Sequence, residues 1–144
     1  MTRRTRRAYG TLHRDTVIDA ALEIIEGDGV EALTMRRLAQ HLDAGTMSLY
    51  RHVTDRDDVL DAIGQRLLLS IEVPDSTSAT SWPAAVRRLL GSIRAVALDH
   101  PNSFELMALR RLPDGPVGDR VTAALRLIEP SGLSPEDQLV LARP

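Results

Sequence analysis

Apolar residues recur at spacings of three and four along most of the chain, which is the period of an amphipathic helix. The first such stretch runs from about Asp15 to Glu26 and ends before Gly27 and Gly29, because glycine readily adopts the left-handed conformation at a helix C-terminus. Its inward positions are Ile18, Ala21, Leu22 and Ile25. The sequence shows neither strand-like alternation nor an internal repeat, so the pattern predicts an all-α fold.

Three more helices are predicted in quick succession, and each has a residue suited to cap its start. Thr34 caps a short second helix and Thr46 caps a short third one, after a tight connection at 43–45. Asp55 caps a fourth helix, with Asp58 in an acidic first turn. The inward residues of the two short helices are Met35, Leu38, Ala39, Leu42, Leu49 and Val53.

The second half of the chain also reads as helical. A polar stretch at 74–81 is typical of a linker, and a fifth helix follows from Trp82. A sixth is predicted around Ser103 to Leu112 and a seventh from about Val117 to Ile128, with the start of another near Ser134.

The two short helices over residues 34–53 have the pattern of a helix-turn-helix, whose second helix enters the DNA major groove by its N-terminal end. The outward residues of that helix are short or flexible, namely Thr46, Met47 and Ser48. Hydroxyls can contact base edges or phosphates, and a methionine can contact a thymine methyl group. The residues on the flank that would face phosphate are Tyr50, Arg51, His52 and Arg56.

The first fourteen residues are strongly basic, although the whole chain has a formal net charge of −2. They contain five arginines and no acidic residue. Such a segment is either a solvated tail or an arm that neutralises phosphates or enters a minor groove, and the sequence leaves both open.

Other functional classes find little support in the composition. Cysteine is absent, which removes disulfides, thiolate metal sites and cysteine nucleophiles and fits a cytoplasmic location. The four histidines have no metal-ligand spacing, and no apolar run approaches the roughly 20 residues that span a membrane. We therefore expect no enzymatic activity, cofactor, metal or membrane association. Two alternatives stay open: a helical enzyme that uses His52 or His100, and a protein-binding module whose basic arm contacts acidic partners.

Four motifs stand out within residues 14–72, namely GDGVEAL, TMRRLAQ, GTMSLYRHV and DRDDVLDAI. On these motifs the segment resembles the TetR family, the tetracycline-repressor-like regulators. From Trp82 onward it is weaker, but WPAAVRRLLGSIRAVALDHP and SGLSPEDQ look like that family's ligand-binding domain. The resemblance implies a basic arm at 1–14, a three-helix DNA-binding head at 15–56, and a linker helix with a partial ligand-binding and dimerisation domain at 57–144.

The family resemblance implies a repressor that binds a palindromic double-stranded DNA operator as a homodimer and is released by a small-molecule effector. The residues expected at the DNA are Thr34, Arg36, Thr46, Met47, Ser48, Tyr50, Arg51, His52 and Arg56. Asp43 stands where the family usually has glycine, and we expect it to adopt a positive φ at some cost. Because related regulators continue beyond Pro144 through helices that form the dimer, we expect a fragment or a truncated product.

The same alignment gives candidate effector contacts at Leu68, Glu72, Leu89, Ile93, Phe104, Met107 and Arg111. Tetracycline-responsive members hold the antibiotic with two histidines, an asparagine and a phenylalanine. Those positions align approximately with Glu72, Leu89, Ile93 and Met107, which argues against a tetracycline–magnesium effector. The effector itself stays open.

Overall fold

The computed structural model of the protein describes residues 12–74, 81–109 and 115–127, and every regular element within them is a helix. The elements are α1 (Arg14–Asp28), a 3₁₀ turn (Val30–Ala32), α2 (Met35–His41), α3 (Thr46–Leu49), α4 (Arg56–Ser70), α5 (Trp82–Asp99), α6 (Glu105–Leu109) and α7 (Pro116–Arg126). The predicted all-α class is confirmed. Most of the basic arm, and the helix predicted to begin near Ser134, lie outside the described residues.

None of the helices in the described ranges combines the length and the apolar character that crossing a membrane requires.

The chain divides into two compact units, residues 1–62 and 63–144, with the boundary inside α4. In the first unit, α1 contacts the 3₁₀ turn and α2, and α2 contacts α3. Side chains exposed by 3% or less in this core are Val17, Ile18, Ala21, Ile24, Ile25, Leu33, Leu38, Ala39, Leu42, Leu49, Val53, Val59 and Leu60. Leu22 and Met35, which were predicted to face inward, are only half-buried.

Local hydrogen bonds explain where the short helices begin. The Thr34 hydroxyl oxygen accepts from the Arg37 N–H at 3.1 Å, and the Asp55 carboxylate accepts from the Asp58 N–H at 2.8 Å. Both predicted caps are therefore confirmed. The prediction for Thr46 is wrong by one residue, because Gly45 takes the extended capping conformation and Thr46 is the first residue of α3.

The turn between α2 and α3 depends on Asp43, which has a φ of +51°. This is the left-handed region that non-glycine residues enter at a cost, so the expectation from the sequence is confirmed. Next to it, the Ala44 N–H donates to the Ala39 carbonyl at 2.9 Å. The Asp43 N–H donates to the Gln40 carbonyl at 3.2 Å, so these two bonds reverse the chain directly after α2.

The second unit packs α5, α6 and α7 with the C-terminal part of α4. Its buried apolar side chains are Ile63, Leu67, Ile71, Ala85, Val96, Leu106, Val117 and Leu127. Helix α4 approaches α6 closely at Gly64, where an added Cβ would lie 2.8 Å from the Leu106 carbonyl oxygen. Helix α6 begins two residues later than predicted, because residues 101–104 form turns and Ser103 is fully buried in them.

Candidate DNA-binding surface

Helix α3 has one buried face and one exposed face. Leu49 is fully buried and anchors this four-residue helix to the core of the first unit. On the other side, the Met47 side chain is 78% exposed and Tyr50, just after the helix, is 46% exposed. Thr46 and Ser48 lie between these extremes, half-buried at the edge of the helix. The three predicted base-reading residues therefore share one short, accessible tip.

Cationic and hydroxyl groups flank this tip within the same unit. Arg36 on α2 and Arg51 after α3 are both exposed, and His52 is half-buried. Thr34 is exposed, and its hydroxyl can still donate a hydrogen bond while its oxygen caps α2. These are the group types that hold DNA phosphates in known complexes.

The segment that follows α3 is held by an ion pair that the sequence analysis missed. Arg14 donates from Nη1 to the His52 carbonyl at 2.9 Å and to Asp58 at 3.0 Å, and from Nη2 to Asp58 at 2.5 Å. Asp58 also accepts from the Thr54 N–H at 2.8 Å. Arg14, which the sequence placed at the end of the basic arm, is thus the first residue of α1 and braces the flank at 50–55.

The contact between Arg14 and Asp58 shifts the pKa of both side chains. The hydrogen bond from Arg14 lowers the pKa of Asp58, against the effect of burial, and the Thr54 N–H lowers it further. The hydrogen bond to Asp58 raises the pKa of Arg14. No pattern in the sequence pairs these two residues, because they lie 44 positions apart and each also fits a local role.

Arg56, predicted as a phosphate contact, is engaged within the first unit. Its Nε donates to the Leu33 carbonyl at 2.8 Å and its Nη2 to the Val30 carbonyl at 3.0 Å. The guanidinium therefore ties the start of α4 to the 3₁₀ turn. A contact between its other N–H groups and phosphate stays a prediction.

The second unit contains a cavity of about 340 Å³ with a mainly apolar lining. Of the predicted effector contacts, the structure brings Leu68, Leu89, Ile93 and Met107 to its wall. Glu72 and Phe104 are not among the residues that line it, and Arg111 lies outside the described residues. The Glu72 carboxylate instead accepts a hydrogen bond from Arg88 at 2.6 Å. The backbone N–H of Glu72 donates to the Ser92 hydroxyl oxygen at 2.7 Å.

Helix α7 supplies a wall of this cavity that the sequence analysis did not identify. Its contributions include Val121, Leu125 and, as the charged member, Arg120. The periodicity of α7 predicted a helix but carried no information on which neighbour its faces meet. Within the described residues, no cluster of three histidine, aspartate or glutamate side chains could hold a metal ion.

The helical core and exposed α3 coincide with a known family domain. Residues 17–63, from α1 into α4, match the model of the bacterial regulatory proteins of the tetR family. This part of the chain is a TetR-family domain. The resemblance drawn from the sequence motifs is thereby confirmed.

Similar TetR-family proteins extend the likeness beyond this domain. The HTH-type transcriptional repressor DrrR1 of Streptomyces coeruleorubidus is 34% identical over 132 residues, which are 92% of this chain and 48% of DrrR1. The class D tetracycline repressor of Escherichia coli is 33% identical over 131 residues, 89% of this chain and 59% of the repressor. The chain thus spans about half the length of the curated relatives it matches.

A solved TetR-family structure has the same architecture. ActR of Streptomyces coelicolor, in complex with actinorhodin, superposes with a TM-score of 0.75 at 34% identity. The match covers 92% of this chain and 62% of the ActR chain. The similarity therefore includes both units and is not confined to the helix-turn-helix.

Proposed function

We propose that this chain is the DNA-binding part, with a portion of the sensor part, of a transcriptional repressor that a small molecule releases from its operator. The observation that carries the proposal is the two-sided α3, with Leu49 fully buried and Met47 78% exposed. A recognition helix needs this arrangement, because its base-reading side chains must project while the helix stays fixed. Similar proteins that bear the name of transcriptional repressor support it.

In this proposal the residues of the surface divide into two roles. Thr46, Met47 and Ser48 read base edges in the major groove. The phosphate-binding residues are Thr34, Arg36, Tyr50, Arg51, His52 and, through its remaining N–H groups, Arg56. Phosphate contacts set the position of α3 on the duplex but carry no sequence information themselves.

A homodimer on a palindromic operator is the form we propose for full affinity. Two recognition helices would lie about 34 Å apart, which is one turn of the DNA helix, so that both enter the major groove on the same face of the duplex. A small molecule that binds the second unit releases the operator only if it binds the released conformation more tightly. ActR in complex with actinorhodin is the precedent for a ligand in a similar protein. We propose no catalytic activity and a cytoplasmic location.

The direct test is selection of a DNA sequence from a random duplex library, followed by fluorescence anisotropy of the selected and a scrambled duplex at several salt concentrations. We expect the selected duplex to bind about tenfold more tightly or better. Each of Arg36→Gln and Arg51→Gln should reduce the slope of log affinity against log salt by about 0.9, because each removes one phosphate contact. Arg94→Gln, an exposed arginine on α5, is the matched control and should leave the slope unchanged.

Two results would contradict the proposal. One is the absence of any sequence preference, and the other is an unchanged slope in both variants. Salt-dependent retention on an acidic protein but not on DNA would favour the alternative of a protein-binding module.

A further inference from the structure

The cavity in the second unit has one charged residue in an otherwise apolar wall. Its volume of about 340 Å³ lies at the lower end of the range for small-molecule sites. The C-terminal end of α4 contributes Leu68, and the middle of α5 contributes Leu89 and Ile93. Helix α7 contributes Val121, Leu125 and Arg120. A ligand that fills it would meet hydrocarbon on most sides and a guanidinium on one.

Within the described residues, the Arg120 guanidinium has hydrogen-bond partners for only some of its N–H groups. Its Nε donates to the Ile71 carbonyl at 2.8 Å, and its Nη2 donates to the same oxygen. A guanidinium has five N–H donors, so a single carbonyl leaves several unused. Across the described residues no carboxylate pairs with Arg120, and the nearby Glu72 is taken by Arg88.

This arrangement favours a particular kind of occupant. A partly buried cation without a counter-ion is costly, and an anion that reaches it forms short, charge-assisted hydrogen bonds. The planar guanidinium also matches the two oxygens of a carboxylate or sulfonate. A neutral ligand of the same shape would bury the apolar wall but would leave the charge uncompensated.

We propose that this cavity is the effector site and that it takes a small molecule with an apolar body and a single anionic group, which Arg120 binds. The proposal rests on the function proposed above and specifies its ligand class. It also identifies where binding acts on the protein. Arg120 holds the carbonyl of Ile71, the residue directly after α4, so an anion on Arg120 changes the restraint at the C-terminal end of that helix.

The test compares two fluorescent probes that differ by a single sulfonate group. 8-Anilinonaphthalene-1-sulfonate and N-phenyl-1-naphthylamine share an aromatic body, and only the former carries a sulfonate. Both are titrated into the protein in the absence of DNA. We expect the sulfonate to bind at one site per chain, about tenfold more tightly than the neutral probe.

Variants on α7 assign this preference to one side chain. Arg120→Gln should weaken sulfonate binding about tenfold and leave the neutral probe unchanged, which also shows that the cavity is intact. Arg94→Gln, which replaces an exposed arginine of α5 that does not line this cavity, is the control and should change neither affinity. If Arg120→Gln loses both probes, Arg120→Lys decides: a retained preference for the sulfonate supports the proposal, and its loss contradicts it.

Three results would overturn the inference: equal affinity for the two probes in the unmodified protein, an unchanged preference in Arg120→Gln, or binding of neither probe. Because no DNA is present, none of them bears on whether α3 binds an operator. Conversely, a failure to bind DNA with an intact probe preference would count against the proposed function alone.

Discussion

At the scale of single residues, the contact between Arg14 and Asp58 connects the start of α1 with the start of α4. It also involves the His52 carbonyl and the Thr54 N–H, so it braces the chain immediately after α3. The Asp58 side chain is 25% exposed and that of Arg14 is 48% exposed. Solvent screening therefore limits its contribution, and its main effect is to fix the flank that carries Tyr50 and His52.

Asp58→Asn should lower the free energy of unfolding by about 1 kcal/mol at pH 7, because it removes the charge from a hydrogen-bonded ion pair. The folded-state pKa of Asp58 is lowered, so its stabilisation is present above the unfolded pKa of about 3.9 and is lost as pH falls through the folded value. Urea unfolding from pH 7 down to pH 3 measures the difference between the two proteins. We expect it to be constant near neutrality and to shrink below about pH 4.

Asp99→Asn, which removes an exposed carboxylate of α5, is the control. Its free energy of unfolding should not differ from that of the unmodified protein by a comparable amount. A difference in the free energy of unfolding between the unmodified protein and Asp58→Asn that grows on acidification would contradict the assignment of the ion pair.

At the scale of helices, most local features could be predicted from the sequence, although the start of α3 is displaced by one residue, whereas long-range contacts could not. The caps at Thr34 and Asp55 involve hydrogen bonds that span three residues, so the sequence displays them. The positive φ of Asp43 follows from the tight turn. The sequence did not indicate that Glu72, a predicted effector contact, bonds to Arg88 and Ser92, because these partners lie 16 and 20 residues away.

Contacts between distant parts of the chain also explain why the lining of the cavity could be predicted only in part. Four of its lining residues were predicted by resemblance to a family, whereas Arg120 was missed because only the packing of α7 brings it there. The candidate DNA-contacting residues are adjacent in sequence, which is why the motif identified them as a group. Their individual roles stay predictions.

Gly64→Ala should destabilise the second unit by about 1–3 kcal/mol, because the new Cβ would lie 2.8 Å from the Leu106 carbonyl oxygen and force α4 and α6 apart. Gly91→Ala is the matched control on α5, where nothing lies within 4 Å of the added Cβ. The free energy of unfolding of that variant should rise by about 0.5–1 kcal/mol, because alanine has a higher helix propensity than glycine. Thermal unfolding followed by circular dichroism measures both. Equal effects of the two substitutions would contradict the close approach at Gly64.

At the scale of the whole molecule, the two proposed sites belong to different units. The residues proposed to contact DNA lie within 1–62, and the cavity is lined by residues of 63–144. Helix α4 contributes residues to both units, and its C-terminal end is held by Arg120 through Ile71. If an effector releases the operator, the binding of the two ligands must therefore be energetically coupled.

Such coupling must be reciprocal, because both ligands bias the same equilibrium. If the sulfonate probe weakens operator binding by about fivefold or more, the operator must weaken probe binding by the same factor. Anisotropy of labelled DNA and fluorescence of the probe measure the two directions separately. Arg120→Gln should abolish both effects. Operator binding that is unaffected by a saturating anionic probe would contradict coupling through this cavity.

The most direct test of the central claim is the effect of substitutions at the tip and at the flank of α3 on a panel of single-base variants of the selected operator. We expect Thr46→Ala and Ser48→Ala to change the preference at one or two base positions and to leave the others unaltered. Tyr50→Ala should weaken binding to every duplex by the same factor, about tenfold, because a phosphate contact is independent of sequence. A change confined to one base position in Tyr50→Ala, or a uniform loss without altered preference in Thr46→Ala and Ser48→Ala, would contradict the account.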